Sequence, residues 1–197
     1  MNERMEQSIY NKNRKDKFTF VLTLPDAMRD ISFKAPENRD NDHVIPDSLS
    51  FSVYGVVLPQ TTVDSGEIRY SGQAVKFSAH SRPAYPNITV NFTIDNRFNN
   101  YWVIWKWLNL LNDDRESTFY ADNPDFVERF PDSSMFKQYQ GTATLYPKDE
   151  YNQPVMKFQY EGVLPVNLGQ VDYNYRTGDQ IDTTFEFSFS KLIPTLL

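Results

Sequence analysis

Apolar and polar residues alternate with a period of two along several stretches of this chain, the pattern of strands with one buried face. Phe18, Phe20, Leu22 and Leu24 fall on one side, with Thr19, Val21 and Thr23 on the other. Ile88, Val90, Phe92 and Ile94 interleave with Thr89, Asn91, Thr93 and Asp95. Phe185, Phe187 and Phe189 alternate with Thr184, Glu186, Ser188 and Ser190. Residues 49–58 form a further strand with Gly55 as a bulge position. Shorter candidates cover 67–70, 74–79, 141–146 and 155–160, the last two flanking a polar turn at 147–154 and reading as a hairpin. The pattern predicts a mainly β fold.

One helix interrupts it. Asp95 or Asn96 is placed to cap a run over about 97–111, which Asn112, Asp113 and Asp114 end. Phe98, Tyr101, Trp102, Val103, Ile104, Trp105, Trp107, Leu108, Leu110 and Leu111 go nearly all the way round it. A surface helix needs an apolar stripe only about 100° wide. Such a helix is either sunk in a core or covered by a second molecule, and a small β domain favours the second. Tyr101, Trp102, Trp105 and Trp107 are therefore the expected subunit-interface residues. Pro25 suits the first position of a short helical turn over 25–30.

Two polar stretches read as insertions, at about 32–47 and 113–134. Between Asp113 and Asp132 lie seven acidic and two basic residues. The first seventeen residues carry five basic and three acidic groups, so of the net −6 the remainder holds −8. The expected organisation is an N-terminal arm, 1–16, on a single β domain, 17–197. The arm has no apolar segment of the kind that leads secretion. The most apolar stretch, 101–111, is far short of the ~20 residues of a membrane span. A protein without membrane contact, made in the cytosol, is the expectation.

Chemistry has little material. The 197 residues include no Cys and two His, which excludes disulfides, zinc–thiolate sites and a cysteine nucleophile. His43 lies near Asp40 and Asp42 in a polar loop, and Asp113-Asp114-Arg115-Glu116 lacks the spacing of a calcium loop. There is no Gly-x-Ser-x-Gly elbow and no glycine-rich phosphate loop. The sequons at Asn87 and Asn91 lie inside a predicted strand and read as accidental. No metal, cofactor or catalytic residue is expected. An acidic chain also argues against tight nucleic-acid binding, although a wall that must pass DNA without holding it should be neutral or negative.

The C-terminal third is more distinctive. A strand leads into Gly162-x-x-Pro165-x-Asn167-x-Gly169, followed by polar turn residues and the strand around Phe185–Phe189. Upstream, Val56-Val57-Leu58-Pro59 precedes a hairpin over 67–79, then Arg82-Pro83, the strand from Asn87 and the Trp-rich helix. Gly162 and Gly169 permit a tight reversal, Pro165 breaks the strand, and Asn167 suits a turn. This order, over roughly residues 17–190, resembles the tail tube proteins of contractile-tailed bacteriophages. The resemblance implies a β-sandwich or half-barrel protomer with one flanking helix, closing into a ring-shaped β-barrel on oligomerisation. It also implies a non-enzymatic virion protein in hexameric, stacking rings, partnered by sheath, baseplate or tape-measure proteins, with double-stranded DNA only in passage. Polar residues of the hairpins, Glu67, Arg69, Gln73 and Lys76 among them, are then expected to line the bore. A tube-initiating baseplate ring of the same fold is the nearest alternative. A carbohydrate-binding β-sandwich using exposed Tyr and Trp is the alternative of a different class, and a hydrolase with an acidic pair has the least behind it.

Overall fold

The computed structural model describes residues 12–25, 28, 52–111, 139–176 and 178–197. Both expected insertions, His43 with its neighbouring acids, and most of the turn expected at 25–30 lie outside these residues. Of that turn, Met28 is described: it is fully buried and its N–H donates to the carbonyl of Pro25 at 3.0 Å.

The strands are β1 (Phe18–Thr23), β2 (Val53–Val56), β3 (Ser65–Tyr70), β4 (Gln73–Ser78), β5 (Ile88–Thr93), β6 (Gly141–Pro147), β7 (Met156–Leu168), β8 (Asp182–Ser188) and β9 (Lys191–Leu196); the helix is α1 (Asn99–Leu111). Seven strands form one sheet: six follow the path β1-β6-β7-β8-β5-β2, and β9 lies off it, paired to β7. β3 and β4 form a hairpin of their own. Among the described residues, nine strands with one named helix give the mainly β class that the alternation predicts.

β7 organises the body. Its first half pairs with β6 on one edge and β9 on the other, and its second half pairs with β8. The register is continuous: Met156 faces Leu196, Glu161 faces Lys191 and Leu164 faces Ser188. β8 and β9 thus act as one partner strand that turns a corner beside β7. The corner lies at Gly162, which has φ +69, a left-handed conformation that favours glycine. A Cβ there would also sit 2.8 Å from the Ser190 Oγ.

This is a correction to the sequence reading, in which Gly162 to Gly169 reverse the chain. The strand instead runs on to Leu168, and Pro165 is buried within it. The register shifts between Pro165 and Asn167, a bulge that absorbs the donor proline lacks. Asn167 faces Glu186 across the ladder. Gly169 is held beyond the strand end, its N–H donating to Thr184 O at 2.7 Å and its carbonyl accepting from Thr183 Oγ1 at 3.1 Å. Chain crowding explains this glycine, since a Cβ would lie 2.5 Å from Thr184 Oγ1.

Inward residues of every body strand converge on one core with α1, β2 and β9 through the partly buried Val53, Val56 and Leu192. Phe20, Leu22, Ile88, Val90, Phe92, Ala143, Leu145, Tyr160, Val163, Phe185 and Phe187 are buried, as are Val103, Ile104 and Trp107 of the helix. Tyr160 packs edge to face, an arrangement the ring quadrupoles favour: it lies 5.7 Å from Phe187 and 5.1 Å from Phe189, both near-perpendicular. The Tyr160 hydroxyl is buried with no hydrogen-bond partner among the described residues, and burial pushes its pKa up to about 12. A buried polar group left unpaired costs about 1–3 kcal/mol. Tyr160→Phe is therefore expected to be neutral or to stabilise by about 1 kcal/mol in chemical denaturation. The sign of the pH effect follows from the raised value: an unfolded tyrosine ionises near pH 10. Stability contributed by neutral Tyr160 is full below that and lost as pH rises to about 12. The phenylalanine variant should lose less stability over that alkaline range. A loss of more than 1 kcal/mol at neutral pH would mean that the hydroxyl is satisfied.

Candidate assembly surfaces

The β3–β4 hairpin is joined by Ser71 (φ +51) and Gly72 (φ +81), the two positive angles of a type I′ turn whose twist suits tight hairpins. Its base is clamped: Asp64 N–H donates to Ser81 O at 3.0 Å, Ala79 N–H to Asp64 O at 2.8 Å, and Ser81 Oγ to Asp64 Oδ2 at 2.8 Å. The register pairs Gly66 with Phe77, Ile68 with Val75 and Tyr70 with Gln73, which places these on one face. Glu67 with Lys76 and Arg69 with Ala74 share the other. The hairpin therefore has an apolar face and a charged face, and neither is covered by the described residues. Ile68 is 57% exposed, Tyr70 76%, Val75 53% and Phe77 46%. The Phe77 ring lies over Gly66, where a side chain would collide with it. Of the four residues expected to line a bore, Glu67, Arg69 and Lys76 share the charged face, and Gln73 lies opposite them.

The helix divides its aromatic residues. Asp95 Oδ1 accepts from Arg97 N–H at 3.0 Å and Asn99 N–H at 2.8 Å, so the expected aspartate caps the entry. Phe98 takes φ +58 there, which delays the helix to Asn99. Asn100, fully buried, ties the first turn to the sheet: its Nδ2 donates to Thr93 O at 2.8 Å, and its Oδ1 accepts from Asp95 N–H at 3.2 Å. Trp107 is completely buried in the protomer's own core and its Nε1 donates to Tyr139 O at 3.1 Å. It thus presents no surface to a neighbour. Trp102 is 36% exposed, and Tyr101 and Trp105 are half-buried. Core and surface roles coexist on this helix.

The outward faces of the sheet are polar and rich in threonine. Thr89, Asn91 and Thr93 of β5 face Glu186, Thr184 and Asp182 of β8. Thr93 Oγ1 donates to Asp182 Oδ1 at 2.7 Å, and Asn87 Nδ2 to Glu186 Oε1 at 3.0 Å. Partial burial, with the charge and hydrogen bond of Asp182 adding to it, raises the pKa of Tyr54 beside this pair. On the other half of the path, Thr19, Val21 and Thr23 face Tyr146, Thr144 and Thr142. The described residues carry thirteen Lys and Arg against eleven Asp and Glu, a balance of +2, so the rest of the chain holds −8. From Lys17 on, the described residues balance at ten Lys and Arg to ten Asp and Glu, so the net negative charge is carried by residues outside the described ones. Among the described residues no group of three His, Asp or Glu could hold a metal ion, and no helix is long and apolar enough to cross a membrane.

A family model described as phage tail tube protein matches residues 13–193. This chain belongs to the phage tail tube protein family. The match takes in every described strand except the last residues of β9. Solved structures agree on the fold. A chain in the sheath–tube complex of an extracellular contractile injection system superposes with a TM-score of 0.58 at 11% identity, covering 100% of both chains. A chain of the tube-terminating cap of the anti-feeding prophage gives 0.58 at 11%, covering 98% of this chain and 96% of its own. A chain of the sheath/tube terminator of the injection system gives 0.56 at 12%, covering 95% and 99%. No curated protein sequence matches the chain. The protein is a tail tube-type structural subunit with a fold shared across contractile assemblies.

Proposed function

We propose that six copies of this chain close a ring, that rings stack into the tail tube of a phage, and that the tube conducts the genome. The observation that carries this reading is the β3–β4 hairpin. An arm that exposes Ile68, Tyr70, Val75 and Phe77 on one face, with a clamped base, is suited to rest on a neighbouring protomer. The apolar area it would bury is worth roughly 25 cal/mol per Å². A head-to-tail contact of this kind propagates into a filament when rotation does not close it. The work is mechanical: the chain catalyses nothing, needs no cofactor and acts in the virion after assembly in the host cytoplasm. Polar, threonine-rich sheet faces suit a hydrated bore wall, where side chains offer hydrogen bonds without a strong charge to hold a passing polyanion. The half-exposed aromatic side of α1 suits contact with an outer tail layer such as a sheath.

A single ring at a baseplate or terminus is the second reading, favoured by the fold's likeness to chains in a tube-terminating cap and in a prophage baseplate (TM-score 0.51 at 12% identity). Negative-stain electron microscopy of the purified protein tests both. Rings or tubes with a central hole are expected, long tubes supporting the main-tube role and isolated rings the single-ring role. Monomers at high concentration and every salt tried would end the proposal.

A further inference from the structure

Charge is unevenly placed along the β1–β6 ladder. The end where Phe18 faces Pro147 gathers positive side chains. Lys17 O accepts from Lys148 N–H at 3.0 Å, and Lys17 Nζ donates to Glu150 O at 2.6 Å, which holds residues 12–17 against the turn after β6. Continuing the register from Leu145 and Phe158 sets Lys157 beside Tyr146 at the same end. Residues 12–17 and 147–157 together hold six Lys and Arg against three Asp and Glu, a net +3. Two of the acids already serve the corner itself. Asp16 pairs with Arg14 at 2.7 Å, and Asp149 Oδ1 accepts from the N–H groups of Tyr151 and Gln153 at 2.9 and 2.8 Å. Lys12, Lys15, Lys148 and Lys157 have no ion pair among the described residues, and Lys12 and Lys15 are exposed.

At the other end of the ladder the chain leaves the body for its most acidic stretch. Asp113–Asp132 holds seven acidic and two basic residues, a net −5. The described residues that flank it are Leu111, one turn of helix beyond Trp107, and Tyr139. Tyr139 O accepts from Trp107 Nε1 at 3.1 Å. Two residues on, Gly141 packs on Thr23, the last residue of β1, so closely that a Cβ would lie 2.7 Å from the Thr23 carbonyl oxygen. The six residues of β1 rise roughly 20 Å. The acidic stretch thus departs from and rejoins the body a full ladder length from the positive corner. A chain so arranged is complementary to a copy of itself placed head to tail, and such a contact repeats from copy to copy.

We propose that the positive corner formed by residues 12–17, Lys148 and Lys157 receives the acidic stretch Asp113–Asp132 of a second copy. The inference rests on the homo-oligomeric reading above and adds to the apolar hairpin a contact of a different kind. Exposed ion pairs contribute little one at a time, so this contact acts as a set. It steers approaching copies into head-to-tail order and weakens as salt screens it.

Sedimentation of the full chain reads the contact as the concentration needed for assembly. For the wild-type chain it should rise roughly tenfold or more between about 0.1 M and 1 M sodium chloride, as the Debye length falls from about 10 Å to 3 Å. Charge reversal then tests each side. Lys12→Glu, Lys15→Glu and Lys148→Glu together change the corner from +3 to −3, and Asp122→Lys, Asp125→Lys and Glu128→Lys change the stretch from −5 to +1. Each triple variant alone should need roughly tenfold more protein to assemble, with its circular dichroism unchanged. An equal mixture of the two should assemble within about threefold of wild type, because each variant offers the other a complementary end. If the mixture stays unassembled while one chain carrying all six reversals assembles, the stretch meets the corner of its own copy and the proposal is wrong. Wild-type assembly indifferent to salt, or a folded triple variant that assembles as wild type does, overturns the contact and leaves the ring reading standing. A wild-type chain that stays monomeric at every salt removes both. The salt series needs no variant, so it decides even where a reversal prevents folding.

Discussion

Trp107→Ala is expected to destabilise the protomer by about 3–5 kcal/mol, the range for removing a large buried aromatic side chain. The ring is fully buried and sits 6.4 Å from Phe185, centroid to centroid. Its Nε1 supplies a hydrogen bond to the carbonyl of Tyr139, the residue from which the chain enters β6. The packing around it is closed: a Cβ on Gly141 would lie 2.8 Å from the indole and 2.7 Å from the Thr23 carbonyl oxygen. Truncation thus removes apolar burial, opens a cavity beneath the helix and strands a carbonyl. Since whole domains are stable by only about 5–15 kcal/mol, such a loss leaves a marginal fold. Urea denaturation followed by circular dichroism measures it, as a lower midpoint at unchanged slope. A loss below 1 kcal/mol would show that α1 contributes little to the core.

The opposite result is expected at the hairpin. Ile68→Glu together with Val75→Lys places an opposite-charge pair across β3 and β4, which keeps the cross-strand contact favourable. Both positions are more than half exposed, so stability of the monomer should change by no more than about 0.5 kcal/mol. Assembly should suffer. Burying such a side chain at an interface is worth up to about 1.5–3 kcal/mol, and about 1.4 kcal/mol is tenfold in an equilibrium constant. The concentration needed for assembly, read by sedimentation, should rise at least tenfold. Glu67→Gln with Lys76→Gln, on the charged face, should leave it within a factor of two or three. If the charged-face pair matters more than the apolar pair, the hairpin docks by its other side.

Much of the body can be read in the sequence, and the failures have physical causes. Residues 88–94 and 184–190 alternate without a break because one face is core and the other solvent, which is where period two is cleanest. Helix α1 was legible as a helix but not in its sidedness. Apolar residues surround it, so periodicity carries no phase, and only the packing reveals that Asn100, Val103, Ile104 and Trp107 face inward. At Gly162 to Gly169 the local signals for a turn are real, yet a bulge and a corner accommodate both glycine and proline inside a strand. β9 is not legible in the sequence because Pro194 speaks against a strand, and an edge with its nitrogen outward is the setting that admits proline. For the hairpin, composition suggested Glu67, Arg69, Gln73 and Lys76 as one group. The two-residue turn at Ser71 and Gly72 pairs Tyr70 with Gln73, and that register alone moves Gln73 to the opposite face. The register also shows that the apolar residues, more than the charged ones, distinguish this arm.

The corner at Gly162 has a consequence for how the protomer comes apart. Because β7 is paired along its length to β8 and β9 in one continuous ladder, neither half of the sheet can shift register or peel away alone. A slip at one end would carry through the corner and turn core side chains outward at both. The two halves should therefore melt as a single cooperative unit, with their slowest amides opening at one common free energy, the bent strand pair carrying the ladder from one half to the other over their shared core.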